Sequence, residues 1–330
     1  MIRKLIIPAF IAVVLCTSSC ETDFDITAPY KDIPVIYGLL NISDSIQWVR
    51  IQKVFLGEGD AYVMAQNPDS INYPDILDVS FEEYSGNTFL RKINLIRDES
   101  IPKEEGIFAT TPNVLYRTST SDKIVGKNSY KLVVHNLKTD SIITAVTPVV
   151  DSIFIINPLA TSTSGINFAG PNPFTATWTV VPEGEIYQLV IRFHYTEAPV
   201  TDPTAVVFKY IDWKFPEQEK FQEQNMNKII EFPAFYQFVA GSISQDNSVI
   251  RNADKLDFII TSGAIEFYTY ILVNKPSTGI NQNINQYTNI NGGYGIFSSR
   301  IIQEVKDKKL NTASLDSLNN GSITGHLGFQ

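Results

Sequence analysis

The stretch that most constrains this chain is residues 186–195. Tyr187, Leu189, Ile191, Phe193 and Tyr195 alternate there with Gln188, Arg192 and His194. A period of two puts all five large side chains on one face of a strand, and that face must be covered by another layer. The same period recurs at 47–55, with Val49, Ile51 and Phe55 against Trp48, Arg50 and Gln52. It recurs again at 77–82, with Leu77, Val79 and Phe81 against Asp78, Ser80 and Glu82. Ser85-Gly86-Asn87 then turns the chain into Phe89, Ile93 and Leu95, which predicts a hairpin. Tyr130, Leu132 and Val134, the polar stretch 136–140 and the apolar run 142–146 predict a second.

Short antiparallel strands with tight turns predict a mainly β fold. The expectation is an immunoglobulin-like β-sandwich domain over 32–148 and a second β-rich domain with one or two helices over 152–330. Thr147-Pro148-Val149-Val150-Asp151-Ser152 reads as the passage between them. Further strands are expected at 206–213, 256–260 and 297–305. Helical spacing appears in Phe235, Phe238, Val239 and Ser242, and in Ile265, Tyr268 and Leu272. Residues 315–318 read as a short helical turn. Residues 276–294 carry Pro276, Gly279 and many Asn, and read as a long loop.

The N-terminus speaks about location. Met1-Ile2-Arg3-Lys4 precedes an apolar run over residues 5–15, then Cys16-Thr17-Ser18-Ser19-Cys20. A basic start, an apolar centre of this length and small residues at its end read as a signal peptide over 1–19. The run is shorter than the roughly 20 residues a spanning helix needs. The small residues before Cys20 resemble a bacterial lipoprotein signal, in which that Cys is acylated and becomes the mature N-terminus. Residues 20–31 are then a tether carrying Glu21, Asp23 and Asp25. Removing 1–19 takes away Arg3, Lys4 and Cys16. What remains has 24 basic and 35 acidic residues, a net charge of −11, and no second Cys for a disulfide.

That charge and the lack of any other basic run exclude a phosphate-tracking nucleic-acid binder. His135, His194 and His326 are scattered, and neither H-E-x-x-H nor G-x-S-x-G occurs. Gly292-Gly293-Tyr294-Gly295 lacks the Lys-Ser/Thr of a phosphate loop and leads into a strand, so its glycines are read as structural. Gly57-Glu58-Gly59-Asp60 and Asn67-Pro68-Asp69-Ser70 match no calcium loop and read as solvated. No enzyme, cofactor or metal centre is expected.

Several pieces resemble a family of Bacteroidota outer-membrane lipoproteins, a domain of unknown function often found beside TonB-dependent receptors. They are the Cys with its acidic tether, the strand starting Ile33-Pro34-Val35, the passage at 147–153, and Asn289-Ile290-Asn291-Gly292-Gly293-Tyr294-Gly295-Ile296-Phe297-Ser298-Ser299. The chain departs from that family in its first strand, where Val35-Ile36-Tyr37-Gly38 replaces a Val-Val-Glu-Gly-like pattern. The resemblance implies a surface-exposed lipoprotein with β-sandwich domains. It implies anchoring to the membrane by lipid and association with a TonB-dependent transporter, and it carries no catalytic residues.

Aromatic residues crowd residues 210–238 and supply the flat apolar faces used by protein interfaces and sugar sites alike. The expected binding surface combines Tyr210, Trp213, Phe235 and Tyr236 with Asn283, Asn285, Tyr287 and Tyr294 of the long loop region. Core packing is the competing reading for the aromatics. The expected function is a non-enzymatic binding or accessory subunit; a carbohydrate-binding or carbohydrate-degrading surface module is the alternative.

Overall fold

The computed structural model describes residues 32–54, 60–221, 224–274 and 287–330. Cys20, Asn283 and Asn285, with Phe55 and the 57–59 part of the first acidic loop, lie outside the described residues. The chain is mainly β. It opens with β1 (Pro34–Leu40) and β2 (Trp48–Lys53), then the short helices α1 (Ala61–Ala65) and α2 (Pro68–Ile71). Next come β3 (Leu77–Ser85), β4 (Thr88–Asn94), β5 (Ile96–Asp98), β6 (Leu115–Arg117), β7 (Ser129–Asn136) and β8 (Ser141–Pro148). The second half has β9 (Ile155–Asn157), β10 (Phe174–Trp178), β11 (Ile186–Pro199), β12 (Val207–Lys214), β13 (Gln218–Glu219) and β14 (Met226–Ile230). It ends with α3 (Ala234–Ser242), β15 (Val249–Gly263), α4 (Ile265–Asn274), β16 (Tyr294–Lys308) and α5 (Thr312–Asn320).

Apolar side chains gather in two cores. In the first, Val79, Phe81, Leu132, Val134 and Ala145 of the sheet β4-β3-β7-β8 cover Ile36, Leu40, Val49 and Ile51 of β1 and β2. In the second, Trp178, Ile230, Phe235, Val239 and Leu318 come from the sheet β14-β10-β9 and from α3 and α5. They cover Leu189, Ile191, Phe193, Leu256, Phe258 and Ile260. Full burial of each Val, Leu, Ile or Phe among them contributes about 1.5–3 kcal/mol. The chain passes from one core to the other between Val149 and Val150.

The hydrogen-bonded sheet does not stop at that passage. It runs β12-β11-β15-β16-β1-β2-β6-β5, so strands from both halves share it. β16 is divided lengthwise. Residues 294–299 lie parallel to β1, while 300–308 lie antiparallel to β15 apart from a bulge near Asp257. Phe297 accordingly enters the first core, and Ile301 and Val305 the second.

The glycines of 292–295 permit this join. Gly295 has φ +107°, and a Cβ there would lie 2.0 Å from the Ile36 carbonyl oxygen. Gly293 presses on Pro34, with 2.6 Å from a Cβ to its carbonyl oxygen. Asn289 completes the turn by accepting from Phe297 N–H at 3.0 Å and donating Nδ2 to Phe297 O at 2.6 Å.

Three local expectations change. Phe89 does not share a face with Ile93: the register skips Leu90 opposite Glu83 and Tyr84, and this bulge leaves Phe89 and Leu90 exposed while Ile93 is buried. The turn expected at 315–318 is the nine-residue helix α5, started by Asn311 Oδ1, which accepts from Ser314 N–H at 2.8 Å. Asp60 and Asn67 sit in no open loop; their side chains cap α1 and α2.

Candidate functional site

β12 is an eight-residue strand at the edge of the large sheet, hydrogen-bonded along one side to β11. Among the described residues no strand pairs with its other side. The register divides its side chains. Trp213 and Ile211 lie opposite Ile191 and Phe193 on the core side; Asp212, Tyr210 and Phe208 lie opposite Arg192, His194 and Thr196 on the outer side.

The outer face is braced by ion pairs. Arg192 Nε donates to Asp212 Oδ1 at 2.7 Å and its second nitrogen to Oδ2 at 2.9 Å. These bonds hold the Asp212 carboxyl below the usual carboxylate range and raise the guanidinium's pKa. The same guanidinium stands 4.3 Å from the centroid of the Tyr210 ring. Beside it, His194 Nε2 and Asp257 Oδ2 are 2.7 Å apart, and Asp257 Oδ1 accepts from Asp307 N–H at 2.9 Å. Among the described residues no Ser, Thr or Cys side chain is hydrogen-bonded to His194.

Tyr210 and Phe208 rise from this braced face, 57% and 78% exposed, next to the exposed Val207. An unpaired strand edge offers a row of backbone donors and acceptors, and flanking aromatics supply anchors. The arrangement suits addition of an extended segment from another protein.

The expected site residues are dispersed. Tyr210 is on the outer face of β12. Trp213 is half-buried at the core rim, stacked on Phe238 with centroids 5.1 Å apart. Phe235 and Tyr236 are 1% and 2% exposed and belong to the second core, which corrects their place in a binding surface. α3 turns both inward: Phe235 stacks on Phe168 at 4.6 Å, and Tyr236 OH donates to Ser314 O of α5 at 3.4 Å. Tyr294 is exposed but opens the half of β16 that pairs with β1, so it does not join Tyr210. Tyr287 is half-buried, its phenol pKa raised first by burial and then by Glu266.

Phe208 and Arg192 escaped the sequence reading. Both sit in the alternating pattern, but nothing local marks β12 as the outermost strand. Among the described residues no group of three or more His, Cys, Asp or Glu could hold a metal ion.

No family model matches the chain, and no curated protein matches it. Among solved structures, a crystal structure of CBD12 from CALX1.2 covers 82% of this chain and 100% of its own, at 11% identity and a TM-score of 0.17, a likeness too slight to bear on function.

Proposed function

We infer that this protein is a lipid-anchored binding subunit of the outer membrane. Cys20 carries the lipid, and the exposed edge of β12 receives a partner. The observation that carries the binding role is that edge: Phe208 and Tyr210 stand clear of a face held rigid by the Arg192–Asp212 fork. The resemblance to lipoproteins found beside TonB-dependent receptors supports such a transporter as the partner. An exposed strand edge such as that of β12 suits pairing with an extended segment of the partner.

The test is co-purification from detergent extracts. A Phe208→Asp/Tyr210→Asp double variant should keep its thermal midpoint and lose the transporter. Undiminished recovery of the transporter, or retention on immobilised glycan with no transporter present, would overturn this reading.

A further inference from the structure

We propose that the face surrounding Asp32 rests on the lipid headgroups of the membrane, so that the body lies down on the bilayer instead of swinging from its tether. This rests on the reading of Cys20 as the lipid anchor. Asp32 is where the described chain begins, and it is fixed to the body. Tyr73 OH donates to its Oδ1 at 2.6 Å and Asn136 Nδ2 to its Oδ2 at 3.1 Å. The next residue, Ile33, accepts from Val54 N–H at 2.9 Å.

Cys20 stands twelve positions earlier in the chain. A segment of that length spans at most about 40 Å fully extended, and about 20 Å as a flexible coil. The anchor therefore keeps the Asp32 end of the body nearest the membrane.

The chemistry at that end matches a headgroup layer. A hollow of about 390 Å³ is lined by Asp32, Tyr73, Asn136 and two lysines, Lys53 and Lys138. Neither ammonium group has an ion-pair or hydrogen-bond partner among the described residues. Elsewhere Lys92, Lys127, Lys131, Lys209, Lys220, Lys255, Lys306 and Lys309 meet carboxylates. Lys123 and Lys214 share the lack of an ion-pair or hydrogen-bond partner among the described residues; Lys53 and Lys138 are set apart by lying together at the Asp32 end. Two unpaired lysines in a chain this acidic, both beside the anchor's attachment point, offer positive charge to lipid phosphates.

Exposed apolar side chains flank them. Val54 follows Lys53, Leu137 precedes Lys138, and Ile142 lies across the hairpin turn. They are 39%, 62% and 63% exposed. Backbone bonding from Leu137 N–H to Ile76 O at 2.9 Å holds that turn in place. An acyl chain alone binds marginally, and a basic patch with apolar side chains is a common second signal. Each lysine near an anionic surface strengthens contact roughly five-fold.

The mature acylated protein, reconstituted in phosphatidylcholine vesicles with phosphatidylglycerol, tests this. A Leu137→Cys variant carrying an environment-sensitive dye should be quenched by headgroup-nitroxide lipids. A Phe208→Cys variant labelled in the same way should not. Adding Lys53→Glu and Lys138→Glu to the Leu137→Cys protein should abolish the quenching while the protein still floats with the vesicles and keeps its thermal midpoint. Flotation with an unquenched Leu137 dye, or quenching unaffected by the two charge reversals, overturns the proposal and leaves the anchor reading standing. Failure of the acylated protein to float overturns both.

Discussion

Thr147 Oγ1 donates a hydrogen bond to Glu266 Oε2 at 2.9 Å across 119 residues of chain. Thr147 is the last residue but one of β8, and Glu266 lies in the first turn of α4. Ser298 Oγ, on the shared strand β16, reaches the same carboxylate oxygen at 3.3 Å. Next to it, Ser299 Oγ donates to Pro148 O at 2.7 Å and accepts from Val150 N–H at 3.0 Å, which pins the passage between the cores to β16. The join between the two cores is thus a small polar cluster set into apolar surroundings.

Burial raises the Glu266 pKa above its ordinary value, and hydrogen bonds from its own backbone, Thr147 and Ser298 oppose the shift without cancelling it. A carboxyl whose folded pKa is raised contributes its stability below the unfolded value, and that contribution is lost as pH rises through the folded value. Glu266→Gln keeps an oxygen to accept both bonds and has no charge to desolvate. Its thermal midpoint should exceed the wild type's at pH 7, and the difference should shrink toward pH 4. A lower midpoint at pH 7 would show that the ionised carboxylate is the stabilising form.

The glycines at the β1–β16 join should be unequal to other glycines. Gly295→Ala sets a methyl 2.0 Å from the Ile36 carbonyl oxygen at φ +107°, so β16 must leave β1. Denaturant titration should show a loss of more than about 4 kcal/mol, in the range reserved for diagnostic defects. Gly86→Ala, in the open β3–β4 turn at φ +57° with nothing within 4 Å, should cost about 1–2 kcal/mol.

Two aromatics of one sequence cluster should separate cleanly. Phe235→Ala empties a fully buried position and should cost about 3–5 kcal/mol. Tyr210→Ala, on the outer face, should cost about 1 kcal/mol or less, its contact with Arg192 included. Partner recovery should follow Tyr210 and not Phe235 once both proteins are folded.

The two hairpin turns and the helices α3 and α4 were legible because their determinants are local, whereas the short helices α1 and α2 were not. Gly86 marks its turn, and the spacing of Phe235 and Val239 marks α3 with its buried face. The alternation that opens at Tyr187 marks β11, which the structure extends to Pro199. The parallel contact of β1 with β16 was not legible, because nothing near Val35 records that Tyr294 lies beside it. Aromatic content likewise could not divide core from surface. That depends on which strand is outermost, a property of the whole sheet order. The bulge at Leu90 defeated a correct period for the same reason: it is set by the pairing of β3 with β4.

Arg251 ties the C-terminal residues to the sheet. It is 3% exposed, its Nε lies 3.0 Å from Glu197 Oε2, and its guanidinium also donates to the carbonyls of Leu327 and Ser244. Arg251→Ala leaves Glu197 with Lys209 alone and frees those carbonyls. About 3–5 kcal/mol should be lost, as for other broken buried pairs. Limited proteolysis should then cut near residues 321–330 in the variant and not in the wild type.

The measurement that bears most directly on the anchored-subunit account is the intact mass and N-terminal peptide of the mature protein extracted from membranes with detergent. The account predicts a chain that starts at Cys20, lacks residues 1–19, and carries acyl mass on that residue. A mature chain that starts elsewhere, or a Cys20 peptide with an unmodified thiol, would contradict it.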